Sequence, residues 1–250
     1  MTCSPRRAKG PGPRAALFGV DAFTDRPFGG NPAMVCLLPD PASGEWMQLA
    51  AAELNQPATA FLHDRCLRWF TPAGELPLCG HATLAAAHVL YEAGLVAPAD
   101  PIVFETVSGP LRTWRRDGLV WIRFAPVAVQ EAAVPCAVMD ALGLQDMTWF
   151  GCNKDEYVVV LDASGQVEAV RPDLGRIRRL PVSRVLVTAP GGDGADFTSR
   201  NFAPVLGLDE DQATGSTHAV LGPVGQAPRP SPPQRAPGIT PPWPPGRRRR

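Results

Sequence analysis

The sequence predicts an α+β fold made of two pseudo-symmetric halves, each a β-barrel-like sheet wrapped around a central helix. Two segments predict the repeat, because PLCGHAT (77–83) and ATGSTH (213–218) each place a glycine where a helix is about to begin. The helix expected at residues 81–93 is rich in alanine and apolar around most of its circumference, which is typical of a buried helix. Strand-like segments surround both glycines, so we expect each helix to form the centre of its half.

The first half has four predicted strands, at residues 15–23, 33–38, 59–62 and 67–70. A helix is expected between the second and third strands, because Ser43 is a start signal and Pro57 closes the helical pattern. The apolar residues of that helix fall on one face, as in an ordinary core helix: Trp46, Leu49, Ala50 and Leu54. The Ala-rich central helix follows the fourth strand and is expected to end at Gly94.

The second half has six predicted strands, near residues 102–105, 111–114, 120–124, 157–161, 185–188 and 196–202. Its central helix is expected to begin at Ser216. The predicted domain organisation is a polar leader at 1–14, an N-terminal domain at 15–115, a C-terminal domain at 116–221 and a Pro/Arg-rich disordered tail at 222–250.

Composition narrows the classes of function. The chain has 250 residues, 45% of them hydrophobic, with a formal net charge of zero, which is enough for a real core in one or two domains. Its basic residues reflect a compositional bias toward arginine rather than a basic surface for binding nucleic acid. No apolar run is typical of a membrane span or of a signal peptide. We therefore expect a cytoplasmic protein without a nucleic-acid or membrane partner.

Two further patterns concern chemistry. Six cysteines are scattered without a CxxC pair, which argues against a zinc site and favours reduced thiols over a disulfide framework. The two glycine-led helix starts expose unpaired amides at the positive ends of helix dipoles. If they face one cleft where the halves meet, they are suited to hold a carboxylate or an enolate-like oxyanion.

Four segments together resemble the phenazine biosynthesis-like (PhzF-like) isomerase family, which has the diaminopimelate-epimerase-like fold. They are VDAFTDRPFGGNPAMV (20–35), LRWFTPAGELPLCGHATLAAAHVL (67–90), DFTSRNFAP (196–204) and DEDQATGSTHAVL (209–221). The resemblance covers about residues 15–221. It implies two similar barrel-and-helix domains that clasp a small carboxylate substrate, with no metal and no organic cofactor.

The resemblance assigns catalytic roles to His81, Asp211 and Ser216, and substrate-binding roles to Gly80, Gly215 and Thr214. A helix N-terminus disfavours the imidazolium, so His81 is expected to be a neutral ring that passes a proton. Asp211 is expected on the loop that enters the second helix. The structural alternative is that His81 and Ser216 merely cap helices and Asp211 is a solvated acid.

One position departs from the family at the chemistry itself. Where the family commonly has a proton-shuttling glutamate, this chain has Ala58, in QPATAF (56–61). Losing a positioned acid or base commonly lowers a rate by ~10²–10⁴. Glu53 and Glu75 are the nearest acids in sequence, but we expect Glu53 to point elsewhere and Glu75 to hydrogen-bond the backbone.

Two more departures shape the functional alternatives. Cys79 stands at one helix start, but Thr214 stands at the other, so the sequence argues against inversion by a cysteine pair, and Cys79 is expected to be a buried small residue. The family continues with further strands after Leu221, so the second domain is predicted to be incomplete. We therefore predict an impaired isomerase, with a non-catalytic metabolite- or protein-binding family member as the alternative. A homodimer, and a protein partner for the Pro-rich tail, are left open.

Overall fold

The computed structural model describes residues 15–26, 28–191, 195–211 and 213–221. The predicted leader at 1–14 and the predicted disordered tail at 222–250 lie outside the described residues. The described chain forms two compact units, one up to Arg123 and one from Phe124 onward. The predicted domain limits of 15–115 and 116–221 remain predictions.

Within the described residues, the first unit has eight strands and two helices. The strands are β1 (Ala16–Ala22), β2 (Asn31–Leu37), β3 (Thr59–His63), β4 (Cys66–Phe70), β5 (Glu75–Leu76), β6 (Ile102–Phe104), β7 (Leu111–Arg116) and β8 (Leu119–Arg123), and the helices are α1 (Gly44–Leu54) and α2 (Gly80–Glu92). Strands β1 to β5 form one sheet in sequence order, and β6 to β8 form another. In the first sheet β2 and β3 pair in parallel and the other neighbouring strands pair antiparallel, because α1 carries the chain back across the sheet between β2 and β3.

Helix α2 lies at the centre of this unit. It packs against β1, β2 and β3 of the first sheet and against β7 and β8 of the second, and eleven of its thirteen residues are buried. The sheets are joined where Leu67 N donates to Glu105 O at 2.9 Å and Glu105 N donates to Arg65 O at 2.8 Å. The predicted sheet wrapped around an Ala-rich helix is therefore confirmed for the first unit. Strands β6 to β8, which the sequence analysis counted with the second half, pack in this unit.

The helix ends follow local signals. Ser43 Oγ accepts a hydrogen bond from Trp46 N at 3.2 Å at the start of α1, and Asn55 ends that helix in the left-handed conformation with φ of 47°. Gly94, with φ of 68°, follows α2 two residues after its last helical residue. These are the start and stop residues that the sequence predicts, apart from Asn55, which takes the place of Pro57.

The described part of the second unit has six strands, four α-helices and a 3₁₀ turn at Pro204–Leu206. The strands are β9 (Gln130–Glu131), β10 (Trp149–Cys152), β11 (Glu156–Val160), β12 (Arg184–Pro190), β13 (Phe197–Ala203) and β14 (Leu208–Asp211), and the helices are α3 (Cys136–Leu142), α4 (Ser164–Ala169), α5 (Leu174–Ile177) and α6 (Thr217–Leu221). All strands form one sheet in the order β14-β13-β12-β11-β10-β9. The apolar faces of α3, α4 and α5 pack on one side of it, and Val220 and Leu221 of α6 pack on β11 and β12 with Val158, Val160 and Leu186.

The two units repeat the same topology. Strands β1 to β5 pair antiparallel, parallel, antiparallel and antiparallel, and so do β10 to β14. One line of cross-strand partners runs through Ala60, Trp69 and Leu76, and the matching line runs through Leu186, Asn201 and Asp211. In each unit the helix-starting glycine comes four residues after the last partner of this line. The pseudo-symmetry predicted from sequence is therefore present in the strand register.

The repeat ends differently in the described chain. In the first unit the chain after α2 builds β6 to β8, whereas the matching point of the second unit falls after Leu221, outside the described residues. The predicted incompleteness of the second domain stays a prediction. None of the helices within the described residues is long and apolar enough to cross a membrane.

The cysteines depart from one expectation. The thiols of Cys36, Cys136 and Cys152 are free, and burial raises the pKa of Cys36 to about 11. Cys66, in contrast, is disulfide-bonded. The expectation that the thiols are reduced is therefore wrong at Cys66, because widely scattered cysteines leave the spatial pairing undetermined.

Candidate functional site

The start of α2 places a buried histidine beside the first-turn amides of a buried helix. Cys79 occupies the N-cap in an extended conformation, and its carbonyl oxygen accepts from Thr83 N at 3.2 Å and from Thr83 Oγ1 at 2.6 Å. A thiol is a weaker acceptor than the Ser, Thr, Asp or Asn side chains that usually cap helices. The first-turn amides around Gly80 are therefore well suited to an anionic partner.

His81 is the second residue of α2 and only 3% exposed. Its Nδ1 lies 3.5 Å from Cys79 Sγ, which is within hydrogen-bonding distance for sulfur. The ring of His81 is therefore held away from solvent at the start of α2. Cys79 is buried, as the sequence predicts, and its thiol also contacts the predicted catalytic histidine.

The second predicted helix start is tighter than the first. Gly215 and Ser216 are buried, and α6 begins at Thr217. The chain turns here through a ladder of i to i+3 hydrogen bonds, in which Thr217 N donates to Thr214 O, His218 N to Gly215 O and Ala219 N to Ser216 O, at 3.2, 3.3 and 3.0 Å. Such bonds are typical of a 3₁₀-like first turn. The predicted start at Ser216 differs from the observed start by one residue.

Asp211 lies in a strand and not in a loop. It is the last residue of β14, so the expectation of a loop position is wrong, because its pairing with Asn201 extends the sheet to this residue. Its Oδ2 accepts from Thr214 Oγ1 at 2.7 Å, and Thr214 Oγ1 accepts from Asn201 Nδ2 at 3.1 Å. The structure thus joins two predicted site residues, Asp211 and Thr214, in one polar cluster with Asn201.

A second polar cluster contacts Ser216. Arg184 Nη1 lies 3.4 Å from Ser216 Oγ, and Arg184 Nε lies 3.8 Å from Glu156 Oε2. Glu156 is buried, and its Oε1 accepts from Asn153 Nδ2 at 3.1 Å. Arg184, Glu156 and Asn153 were not predicted as site residues from the sequence. The available signal was a charged residue at the start of an otherwise apolar strand, in EYVVV and again in RVLVTAP.

The strand register assigns Ala58 a counterpart in the second unit. The carbonyl of Leu62 in β3 accepts a hydrogen bond from Leu38 N, and the carbonyl of Thr188 in β12 accepts one from Leu161 N. Leu62 and Thr188 therefore occupy matching positions in the parallel pairs β2/β3 and β11/β12. Counting back four residues matches Ala58 with Arg184. Since Arg184 reaches the residue after its helix-starting glycine, a long side chain at position 58 would extend toward the matching residue, His81.

The acids near Ala58 do not replace the family glutamate. Ala58 itself is completely buried, and Glu53 is exposed on α1. Glu75 forms a bidentate pair with Arg68, both contacts at 2.7 Å. The expectation that Glu75 bonds the backbone is therefore wrong, because β5 places it opposite β4 and beside the Arg68 guanidinium.

Comparison with known proteins identifies the family. The family model for phenazine biosynthesis-like protein matches residues 20–227. An uncharacterized isomerase of Halalkalibacterium halodurans is 39% identical over 216 residues, covering 84% of this chain and 81% of the relative. A human phenazine biosynthesis-like domain-containing protein is 36% identical over 234 residues, covering 82% and 81%.

Solved structures agree with the sequence match. The crystal structure of a phenazine biosynthesis protein of the PhzF family from Enterococcus faecalis superimposes with a TM-score of 0.76 at 35% identity, covering 84% of this chain and 81% of that one. The architecture and the motifs of both units thus match one family over most of the chain. The chain belongs to the phenazine biosynthesis-like, or PhzF, family, whose members include proteins named as isomerases.

Proposed function

We propose that this protein is an isomerase that moves a proton on a small carboxylate metabolite without a cofactor. His81, Asp211 and Ser216 are the catalytic residues of this proposal, and Gly80, Gly215 and Thr214 bind the substrate. The observation that carries it is the buried His81 in the first turn of α2, with Cys79 Sγ 3.5 Å from its Nδ1. A neutral imidazole held in this way is suited to both accept and return a proton.

The amides of the helix starts supply the electrostatic part of the proposal. Removing a proton next to a carboxylate places negative charge on oxygen, and preorganised N–H donors stabilise that charge as it develops. The N–H groups around Gly80 and Gly215 are of this kind. No redox change is required, since the proton that leaves one carbon is delivered to another.

The Asp211 cluster supports a second proton-handling group. Asp211 Oδ2 is held by Thr214 Oγ1 at 2.7 Å, and a carboxylate fixed by a hydroxyl keeps its orientation through a proton transfer. Ser216, two residues after Thr214, presents a hydroxyl that both donates and accepts. In this proposal Asp211 orients or relays a proton, and Ser216 hydrogen-bonds the substrate.

Ala58 is the reason to propose an impaired enzyme. Its methyl side chain is completely buried and carries no proton. The alternative function, a non-catalytic family member that binds a metabolite or protein, rests on this same observation. The proposal also includes a cytoplasmic location, while a homodimer and a protein partner are additional possibilities that the experiments below do not require.

The test is incorporation of solvent deuterium into a panel of small carboxylates, read by proton NMR in D₂O. Wild type is expected to exchange slowly but measurably, and His81→Asn to lose the exchange by about 10²-fold or more, since it removes the acid–base group. His63→Asn is the matched control, because His63 lies in the same unit and, among the described residues, contacts the Leu38 carbonyl and the exposed Asp64.

Three outcomes separate the two functions. Exchange by wild type and His63→Asn but not by His81→Asn supports the isomerase. Equal exchange by wild type and His81→Asn contradicts the role of His81. A folded protein that binds carboxylates without exchanging deuterium in either form leaves the non-catalytic binding function in place of the isomerase.

A further inference from the structure

Arg184 is a partly buried cation beside Ser216, one of the proposed catalytic residues. It is the first residue of β12, and its side chain is 25% exposed. Its Nη1 lies 3.4 Å from Ser216 Oγ, and its Nε lies 3.8 Å from Glu156 Oε2. The guanidinium therefore stands between a buried carboxylate and a buried hydroxyl.

Glu156 is held in place independently of Arg184. Its Oε1 accepts from Asn153 Nδ2 at 3.1 Å. Asn153 is itself fixed, because its Oδ1 accepts from the backbone amides of Asp155 and Glu156 at 2.8 and 3.0 Å. A buried carboxylate without a cation is strongly destabilising, so Glu156 fixes the position of Arg184.

The pair leaves binding capacity on the guanidinium. Arg200 makes two contacts of 2.7 Å with Glu210, and Arg178 makes one contact of 2.7 Å with Asp209, so both guanidinium groups are tightly paired with an acid. Within the described residues, the contacts of Arg184 are longer and involve its Nε and Nη1. Arginine has five N–H donors in a planar fork that matches a carboxylate. A further acceptor can therefore be bound through Nη2, next to Ser216.

We propose that Arg184, positioned by Glu156, binds a carboxylate group of the ligand beside Ser216. This inference rests on the proposed function and adds to it the residue that recognises the carboxylate. The matching position of the first unit is Ala58, whose side chain has no charge. Of the two matching positions, the one in the second unit therefore supplies the cation. Arg184 is thereby the specificity residue that selects acids over their neutral analogues, and Glu156 is a positioning residue.

The test measures binding of malonate to the full-length protein by isothermal titration calorimetry. Arg184→Gln is expected to weaken malonate binding by about tenfold or more, and Arg184→Lys to a smaller degree, since lysine keeps the charge but loses the fork. Glu156→Gln is expected to weaken it less than Arg184→Gln. Arg178→Gln is the matched control, because Arg178 pairs with an acid of the same unit on an exposed surface.

Binding of malonamide, the neutral analogue, distinguishes loss of carboxylate recognition from loss of structure, because unfolding would weaken the binding of both ligands. The weaker binding of malonamide is expected to be the same in wild type and Arg184→Gln. If Arg184→Gln does not fold, the double variant Arg184→Gln/Glu156→Gln is measured in its place, because it removes both charges together. Circular dichroism checks that each variant is folded.

The proposal is overturned if folded Arg184→Gln binds malonate within about twofold of wild type, or if wild type binds no malonate, since a preorganised guanidinium should provide measurable affinity. The proposed function fails in a different way. In that case malonate binding depends on Arg184, but no carboxylate exchanges deuterium in wild type or in Ala58→Glu.

Discussion

Replacing Ala58 by glutamate is the most informative single change in this protein. Ala58 is completely buried, and its carbonyl oxygen accepts from Met34 N at 3.0 Å, so the backbone at this position is fixed by the sheet. The register matches Ala58 with Arg184, whose side chain reaches Ser216. A glutamate at position 58 is therefore expected to extend toward His81. It would supply a carboxyl group that the native Ala58 lacks.

Two opposing effects set the magnitude. Extra atoms and a polar group at a fully buried site are expected to lower the free energy of unfolding by about 1–3 kcal/mol. The same carboxyl, if it reaches the reacting carbon, supplies part of the ~10²–10⁴ that a positioned acid or base contributes to a rate. We expect deuterium exchange to rise by about tenfold or more, while stability falls.

Ala58→Gln separates these effects. Glutamine has nearly the same volume and burial as glutamate but does not ionise, so both variants should lose similar stability in urea unfolding. Only Ala58→Glu should gain exchange activity. Equal exchange rates in folded Ala58→Glu and Ala58→Gln would refute the reasoning, because the gain would then owe nothing to proton transfer by residue 58.

Two further predictions concern stability. Burial lowers the pKa of His88 from 6.5, so the unfolded chain binds more protons than the folded chain below that pH. The free energy of unfolding should therefore fall from pH 7.5 to 5.5, with a slope from this group of at most about 1.4 kcal/mol per pH unit. Urea midpoints should fall less for His88→Gln than for wild type, and an equal fall in both proteins contradicts the assignment. Gly30→Ala places a Cβ 2.2 Å from Ala22 O and should lower the free energy of unfolding by about 1–3 kcal/mol. Gly74→Ala, whose Cβ meets nothing within 4 Å, is the control, and a loss of similar size there would show that the close contact is not the cause.

Local signals in the sequence predicted much of the first unit. Ser43 accepts a hydrogen bond from the amide of Trp46, as a start signal should, and Gly94 follows α2 in the left-handed conformation. The Ala-rich helix is buried inside two sheets because no face of it carries enough polar residues to favour water. These features depend on neighbours in the chain, which the sequence displays directly.

The second unit was predicted less completely. Helices α3, α4 and α5 were missed, because they have only seven, six and four residues, too few for a helical period to stand out. Strand β14 was also missed, because LDED has no alternation of apolar residues. Its pairing with β13 supplies the order that the local sequence lacks, and this is why Asp211 lies in a strand.

By itself the sequence determined the family, the α+β class, the repeat of two glycine-led helix starts and the residues that stand there, because motifs and periodicity are local in the chain. Only the tertiary structure decided which distant side chains meet. Arg184 joins Glu156 to Ser216, and Ala58 matches Arg184, through strand pairings between segments far apart in sequence. Such contacts follow from register and burial, since a buried charge must find its partner wherever the fold brings one.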